Sequence, residues 1–275
     1  MERFENSTGK VQQVITSSSN ETVKHVRSLL GKKHRDKSRQ FIAEGEKIVS
    51  EALSSSWQTE LLVFSESYSG SLLNRGRELG IRCLVVKDSL FQSLSDTQTP
   101  QGVLAVIQQR DFHLQNIIAQ ESGFVVILDG VKDPGNLGTI IRTVDAAGAG
   151  GVILIHDCVD ACNPKAVRAT MGSIFRVPLY REGSADELFD NLVRAGWHIA
   201  ASDLKGTDAF EWQGGFDKTA LVIGSESHGV SETARSRAHS LISIPMAGGT
   251  ESLNASVAAG ILIYEIFRKG REMDG

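Results

Sequence analysis

The sequence predicts a two-domain α/β protein whose second domain is built on a parallel sheet. Three observations carry this. The chain has 275 residues and is 41% hydrophobic, enough for two packed cores. From residue 123 onward, apolar runs of strand length alternate with helix-patterned segments, the rhythm of strand–helix–strand units. Ahead of them lies a smaller α/β group of roughly a hundred residues, a usual domain size. The polar stretch Gln108 to Ser122 stands between the two groups as the expected linker. The boundaries read as a flexible N-terminus over 1–19, a first domain over 20–110, a linker over 111–122 and a second domain over 123–272.

Residues 1–19 are polar and serine-rich, which predicts a frayed end. Asn20 to Leu30 opens on a capping residue, with apolar positions at Val23, Val26, Leu29 and Leu30, a helical spacing. The next ten residues, GKKHRDKSRQ, read as a charged loop. FIAEG is a strand and EKIVSEALSSS a helix after it. LLVFS, IRCLVV and GVLAVIQ are three further strands, with a helix between the first two. The second domain opens on FVVILDG, a continuous apolar strand of the kind buried in a parallel sheet. VKDPGNLG reads as its loop and TIIRTVDAAG as a helix ended by Gly148. GVILI, the helix NPKAVRATMGS, the strand or edge FRVPLY and the amphipathic helix ADELFDNLVRAG follow. WHIAASDL, ALVIGSE and LISIP are the remaining strands.

Composition excludes several classes. Net charge is −4 and charged residues make up 23%, so the chain is neither disordered nor basic overall. Residues 1–40 nevertheless hold nine Lys/Arg against four Asp/Glu, an asymmetry that points to a basic face meeting a polyanion. Lys32, Lys33, Arg35 and Arg39 are its densest part, as candidate phosphate contacts. Three cysteines form no disulfide framework and fit a reducing, cytoplasmic setting. His156, Cys158 and Cys162 lack a plausible fourth ligand, so no metal is expected. The apolar run Val257 to Phe267 is too short to span a bilayer and contains Glu265, so no membrane partner is expected. It reads as a helix buried in a core or a subunit interface.

Polar residues gather where the strands end. The segment IPMAGGTESLNAS (Ile244 to Ser256) runs from a strand through small residues into the last helix. Gly248 and Gly249 would let main chain wrap a ligand, and Ser252 stands where an N-cap belongs. LDGVKDPGNLGTIIRT and LVIGSESHGVS stand at two other strand ends, where open α/β sheets place ligands. Neither contains the dinucleotide fingerprint or the phosphate-loop lysine, which argues against a dinucleotide oxidoreductase. Taken singly, Asn136 reads as a turn or cap residue, Arg142 as a partner for Asp145, Glu226 as a turn cap and Asn254 as a first-turn acceptor. Lys165 and Arg168 read as charge at a helix start. None of these readings explains why the groups converge on one sheet edge.

Together and in this order, the three blocks resemble the signature motifs of the SpoU (TrmH-like) branch of the SPOUT RNA methyltransferases. Asn136 and Arg142 in GNLGTIIRT match the first motif, Gly224 and Glu226 in IGSESHG the second, and IPMAGGTESLN nearly the whole of the third. TQTPQGVLAV and NPKAVRATMGS also read like family sequence, and the front domain resembles the family's L30e-like substrate-binding domain. The resemblance covers about residues 20–270. It implies a Rossmann-like α/β domain closed by a deep trefoil knot, a bound S-adenosyl-L-methionine and a homodimer with the last helix in the interface. It implies cofactor contacts from Gly224, Ile244, Leu253, Ser252, Met246 and Leu204, with the strand end around Ser202 to Leu204 lining the same pocket. Catalytic or pocket-shaping roles fall to Arg142, Asn136, Glu226 and Asn254, with Glu226 orienting Arg142 or a backbone amide, and RNA contacts to Lys165 and Arg168. The expected reaction is methyl transfer to a ribose 2′-hydroxyl, in ribosomal RNA of the large subunit. A tRNA methyltransferase, an antibiotic-resistance methyltransferase and a non-catalytic RNA-binding assembly factor remain open at this point.

Overall fold

The computed structural model describes residues 3–5, 11–214, 217–249 and 251–273. In chain order, the elements begin with β1 (Arg3–Glu5), β2 (Val11–Ile15), α1 (Glu21–Ser28), α2 (Lys32–Ser38), β3 (Gln40–Glu44) and α3 (Glu46–Ser54). There follow β4 (Thr59–Ser65), α4 (Leu72–Glu78), β5 (Cys83–Val86), α5 (Asp88–Gln92), β6 (Val103–Gln108) and α6 (Leu114–Ile118). Then come β7 (Phe124–Asp129), α7 (Pro134–Ala147), β8 (Val152–Ile155), α8 (Pro164–Thr170), a 3-10 turn (Ser173–Phe175) and β9 (Leu179–Arg181). The chain ends with α9 (Ala185–Arg194), β10 (His198–Asp208), β11 (Thr219–Gly224), α10 (Glu232–Arg237), β12 (Ser240–Ser243) and α11 (Ala255–Met273). These pack as two units: residues up to Arg110 with Asp160–Phe175, and Asp111–Val159 with the chain from Arg176 onward.

The first unit holds a mixed sheet in the order β1-β2-β5-β4-β6-β3. The expected frayed N-terminus is corrected here. β2 pairs in parallel with β5 through Val14 and Ile15, and Val14 is buried, because β5 would otherwise leave a row of unpaired amides at the sheet edge. Residues 1, 2 and 6–10 of that stretch lie outside the described residues. Asn20 caps α1, its side chain accepting from Thr22 N at 2.9 Å, and Val23, Val26 and Leu29 bury fully against Ile42, Val63 and Leu104.

The charged run after α1 is a helix rather than a loop. Arg35 on α2 is buried, 2% exposed, and fully engaged. It donates to the carbonyls of Leu29 and Leu30 at 2.9 and 2.8 Å, and its Nη2 lies 2.8 Å from Asp160. It therefore closes the C-terminal end of α1, where carbonyls lack helical partners, and leaves the set of RNA-contact candidates.

Residues 160–175 were expected inside the second domain but pack in the first unit. Phe41, Trp57 and Phe175 form an aromatic trio with centroids 5.6 to 6.4 Å apart, and Trp57 Nε1 donates to Phe175 O at 3.1 Å. Arg168 on α8 pairs with Asp96 at 2.8 Å and approaches Glu44 at 3.6 Å.

The second unit is a six-stranded, wholly parallel sheet in the order β12-β10-β11-β7-β8-β9. Every residue of β7 is buried. The expected linker is part of this core. Leu114, Ile117 and Ile118 of α6 are buried in it, and Trp197 Nε1 donates to Ile118 O at 2.9 Å. The loop expected at VKDPGNLG is shorter than its sequence suggested, because α7 starts inside it. Asp133 is the N-cap and accepts from Asn136 N at 2.8 Å, with Pro134 in the first turn and Gly148 left-handed at the far end.

At the amino-terminal end of β10, His198 lies 5.1 Å from His239, with Trp212 at 5.9 Å and Ser240 Oγ at 2.9 Å from its Nε2. Lys269 stands over the Trp212 ring. Burial, and then the charge of His239, lower the His198 pKa. A depressed histidine pKa means that the unfolded chain protonates first on acidification, so stability is full above about pH 6.5 and falls below it. His198→Gln should flatten that acid slope when thermal unfolding is followed across it.

Candidate functional site

The sheet order turns at its middle. From β7 the chain proceeds outward to β8 and β9, while β11, β10 and β12 lie on β7's other side. Ligands in open α/β sheets bind outside the carboxyl ends of strands near such a point. Here a cavity of about 560 Å³ opens at the ends of β10, β11 and β12 and against α11. That volume lies within the range of small-molecule sites.

All six residues expected to hold the cofactor, Leu204, Gly224, Ile244, Met246, Ser252 and Leu253, line this cavity. Gly224 has a specific steric reason. The turn after β11 closes on itself, with Ser225 N donating to Gly229 O at 2.9 Å and Gly229 N to Ser225 O at 3.0 Å. A Cβ on residue 224 would fall inside the backbone of Gly229 and Val230. By contrast, Gly248 and Gly249 are not left-handed and have open space around them, so close wrapping is not what these glycines provide. Thr250 lies outside the described residues.

Three of the four expected catalytic residues are joined in one hydrogen-bonded relay. Asn254, rather than Ser252, caps α11: its Oδ1 accepts from Ser256 N at 2.9 Å and Val257 N at 3.4 Å. With its oxygen committed to the helix, its Nδ2 donates to Asn136 Oδ1 at 3.0 Å. Asn136 then presents its own Nδ2 to Glu226 Oε1 at 2.7 Å. Each amide orientation follows from the one before it, so the helix cap determines what faces Glu226. Lys132 N approaches the other Glu226 oxygen at 3.5 Å.

Arg142 stands apart. It is exposed on α7 and is not among the residues that line the cavity. Asp145, its expected partner, pairs instead with Arg176 at 2.8 Å, and Glu226 receives Asn136 rather than Arg142. Among the described residues nothing pairs with the Arg142 guanidinium. Of the expected RNA contacts, Lys32, Lys33, Arg39 and Lys165 are exposed, whereas Arg168 is engaged by Asp96 and Glu44.

Sequence reasoning missed two features. Asp203, within the strand end Ser202 to Leu204 expected at the pocket, forms an unexpected ion pair with Arg235 in the cavity wall. Asp129, buried at the end of β7, accepts from Ser231 N at 2.7 Å and lies 2.5 Å from His156 Nδ1. His156 adopts a left-handed φ of 51°, uncommon for a residue with a side chain. No spacing rule in the sequence marks either pair.

Fold and site define the class: a parallel α/β domain with a small-molecule cavity at its carboxyl edge, preceded by a separate α/β unit. Residues 123–264 match the SpoU rRNA Methylase family, and residues 20–105 match the MRM3-like substrate binding domain. The Bacillus subtilis 23S rRNA (guanosine(2553)-2′-O)-methyltransferase RlmP is 35% identical over 92% of this chain and 98% of its own. The 23S rRNA (uridine(2479)-2′-O)-methyltransferase of Streptomyces viridochromogenes is 32% identical over 92% and 91%. The crystal structure of an AdoMet-bound rRNA methyltransferase from Sinorhizobium meliloti superposes with a TM-score of 0.82 at 36% identity, covering 93% of this chain and 97% of that one. The chain belongs to the SpoU rRNA methylase family.

Gly224→Ala should force a methyl group into the space held by the backbone of Gly229 and Val230. We expect a loss of about 1–3 kcal/mol of stability, as for other overpacked positions, together with loss of ligand binding in the cavity. Thermal unfolding and calorimetry with S-adenosylmethionine measure the two effects.

Proposed function

We propose that this protein uses S-adenosyl-L-methionine to methylate a ribose 2′-hydroxyl of 23S ribosomal RNA. The observation that carries this is the meeting of two distant sequence blocks, Leu221 to Ser231 and Ile244 to Ser256, in the lining of one cavity, with the third block tied to them through Asn136, which is hydrogen-bonded to both Glu226 and Asn254. The relatives' named activities and the substrate-binding match of residues 20–105 support it.

The cavity suits the cofactor. Its lining combines the apolar Leu204, Ile244, Met246 and Leu253 with three carboxylates, Asp203, Glu226 and Glu251, against two cations, Lys205 and Arg235. A slightly acidic wall favours a sulfonium, and apolar side chains favour an adenine. The chemistry the bound group supplies is an electrophilic methyl on positively charged sulfur. The protein's part is to hold a ribose oxygen in line with it, which is most of what such a displacement needs. Asn136 and Asn254 keep the Glu226 side of the cavity in a single arrangement. Arg142, exposed and without a partner among the described residues, is the group we assign to the substrate: it binds phosphate and orients the 2′-hydroxyl. A guanidinium, which holds its proton throughout the working pH range, serves better in that role than as a base.

We further propose a homodimer and a knotted carboxyl-terminal segment, as in the family. On α11, Leu262, Ile263 and Ile266 are buried, while Val257 and Tyr264 are about half exposed. This apolar strip suits a second copy of the chain. The free cysteines suit a cytoplasmic protein.

Arg142→Ala should abolish methyl transfer to ribosomal RNA while calorimetric binding of S-adenosylmethionine stays unchanged; undiminished turnover would remove Arg142 from the mechanism. Replacing Lys32 and Lys33 with glutamine should weaken RNA binding and flatten its salt dependence by roughly 0.7–0.9 log unit of slope per lost phosphate contact. An unchanged slope would return these lysines to solvated surface.

A further inference from the structure

A second charged group is built into the cavity wall, apart from the Asn136 relay. Asp203 stands near the carboxyl end of the regular part of β10, and Arg235 is on α10. Both line the cavity and are ion-paired through Asp203 Oδ2 and Arg235 Nη1. The Asp203 side chain is 5% exposed and that of Arg235 is 39% exposed. Asp203 Oδ1 accepts from Lys205 N at 2.8 Å. Each carboxylate oxygen thus has one protein donor, which offsets the burial of the charge. A carboxylate accepts about four hydrogen bonds, so each oxygen retains capacity toward the cavity.

A pair of neighbouring hydroxyls matches two such oxygens. An acidic side chain at a strand end takes ribose hydroxyls in the same manner in dinucleotide-binding sheets. The position fits a sugar. Ser202, the preceding residue, pairs with Ile242 of the apolar wall that suits a base, and the polar Glu226–His228 turn lines the same cavity.

We infer that Asp203 accepts the ribose diol of the nucleoside cofactor and that Arg235 is a positioning residue that fixes the plane of the Asp203 carboxylate. The inference rests on the S-adenosylmethionine reading of this cavity. It assigns to Asp203 the discrimination between a ribonucleoside and a deoxynucleoside ligand.

The test is calorimetry on the full chain with three probes: S-adenosylhomocysteine, its 2′,3′-dideoxy analogue, and 5′-methylthioadenosine, which keeps the diol but lacks the amino-acid tail. Asp203→Ala should weaken the first and third alike, by roughly 10- to 100-fold, the weight of a hydrogen bond to a charged group. The dideoxy analogue should change less than about twofold. Arg235→Met leaves Asp203 in place and should give the same pattern at smaller size, with Arg235→Lys restoring part of the affinity. This second series decides the matter if Asp203→Ala does not fold. Equal losses for all three probes, or undiminished affinity for S-adenosylhomocysteine, would overturn the assignment. So would 5′-methylthioadenosine behaving like the dideoxy analogue, since that would assign Asp203 to the tail ammonium. If the unaltered chain gave no heat with any probe, the cofactor reading itself would fail, a result distinct from the others.

Discussion

The amide relay from Asn254 through Asn136 to Glu226 is the constraint on which the site depends. An amide side chain has one accepting and one donating end, so fixing one end fixes the other. The exposed amides at the start of α11 take the Asn254 oxygen, and from there the polarity of the chain of contacts is determined. The last helix, the first turn of α7 and the turn after β11 come from three distant parts of the sequence. They are held together by side chains that end on Glu226 in the cavity wall, so the arrangement that shapes the site also records that the domain has closed correctly.

Much of this was legible beforehand, for identifiable reasons. The strands of the second unit are continuous apolar runs, and burial on both faces leaves a parallel strand little other option. The cavity lining followed from motifs that sit at strand ends, a placement the sheet imposes. Helix starts were harder. Ser252 and Asn254 are both acceptable caps, and the difference lies in which one can also reach Asn136, a tertiary fact that no local rule contains. Pro134 after Asp133 could have moved the start of α7 into the expected loop, since that pair is a recognised helix opening.

The misreadings share a cause. Charge and polarity ordinarily signal exposure, yet Arg35 is buried because it satisfies two helix-end carbonyls and a carboxylate 125 residues away. The expected linker looks polar on average, but Leu114, Ile117 and Ile118 share one face of α6 and pack into the second core. Serine-rich composition hid a strand at 11–15 whose order comes from pairing with β5. In each case the deciding partner lies far along the chain, beyond the reach of a pattern read within ten or fifteen residues.

The capture of residues 160–175 by the first unit has a consequence for the way this gene product can be divided. The polypeptide passes from the first unit to the second, returns for sixteen residues, and leaves again. A cut after Arg110 would therefore deprive the amino-terminal piece of Asp160 and Phe175, stranding a buried guanidinium and opening an aromatic cluster. During synthesis, too, that piece must wait for about a third of its neighbour to emerge before its own interior is complete. The two units are interleaved as stretches of chain, and neither could be exchanged between relatives by a single crossover after Arg110.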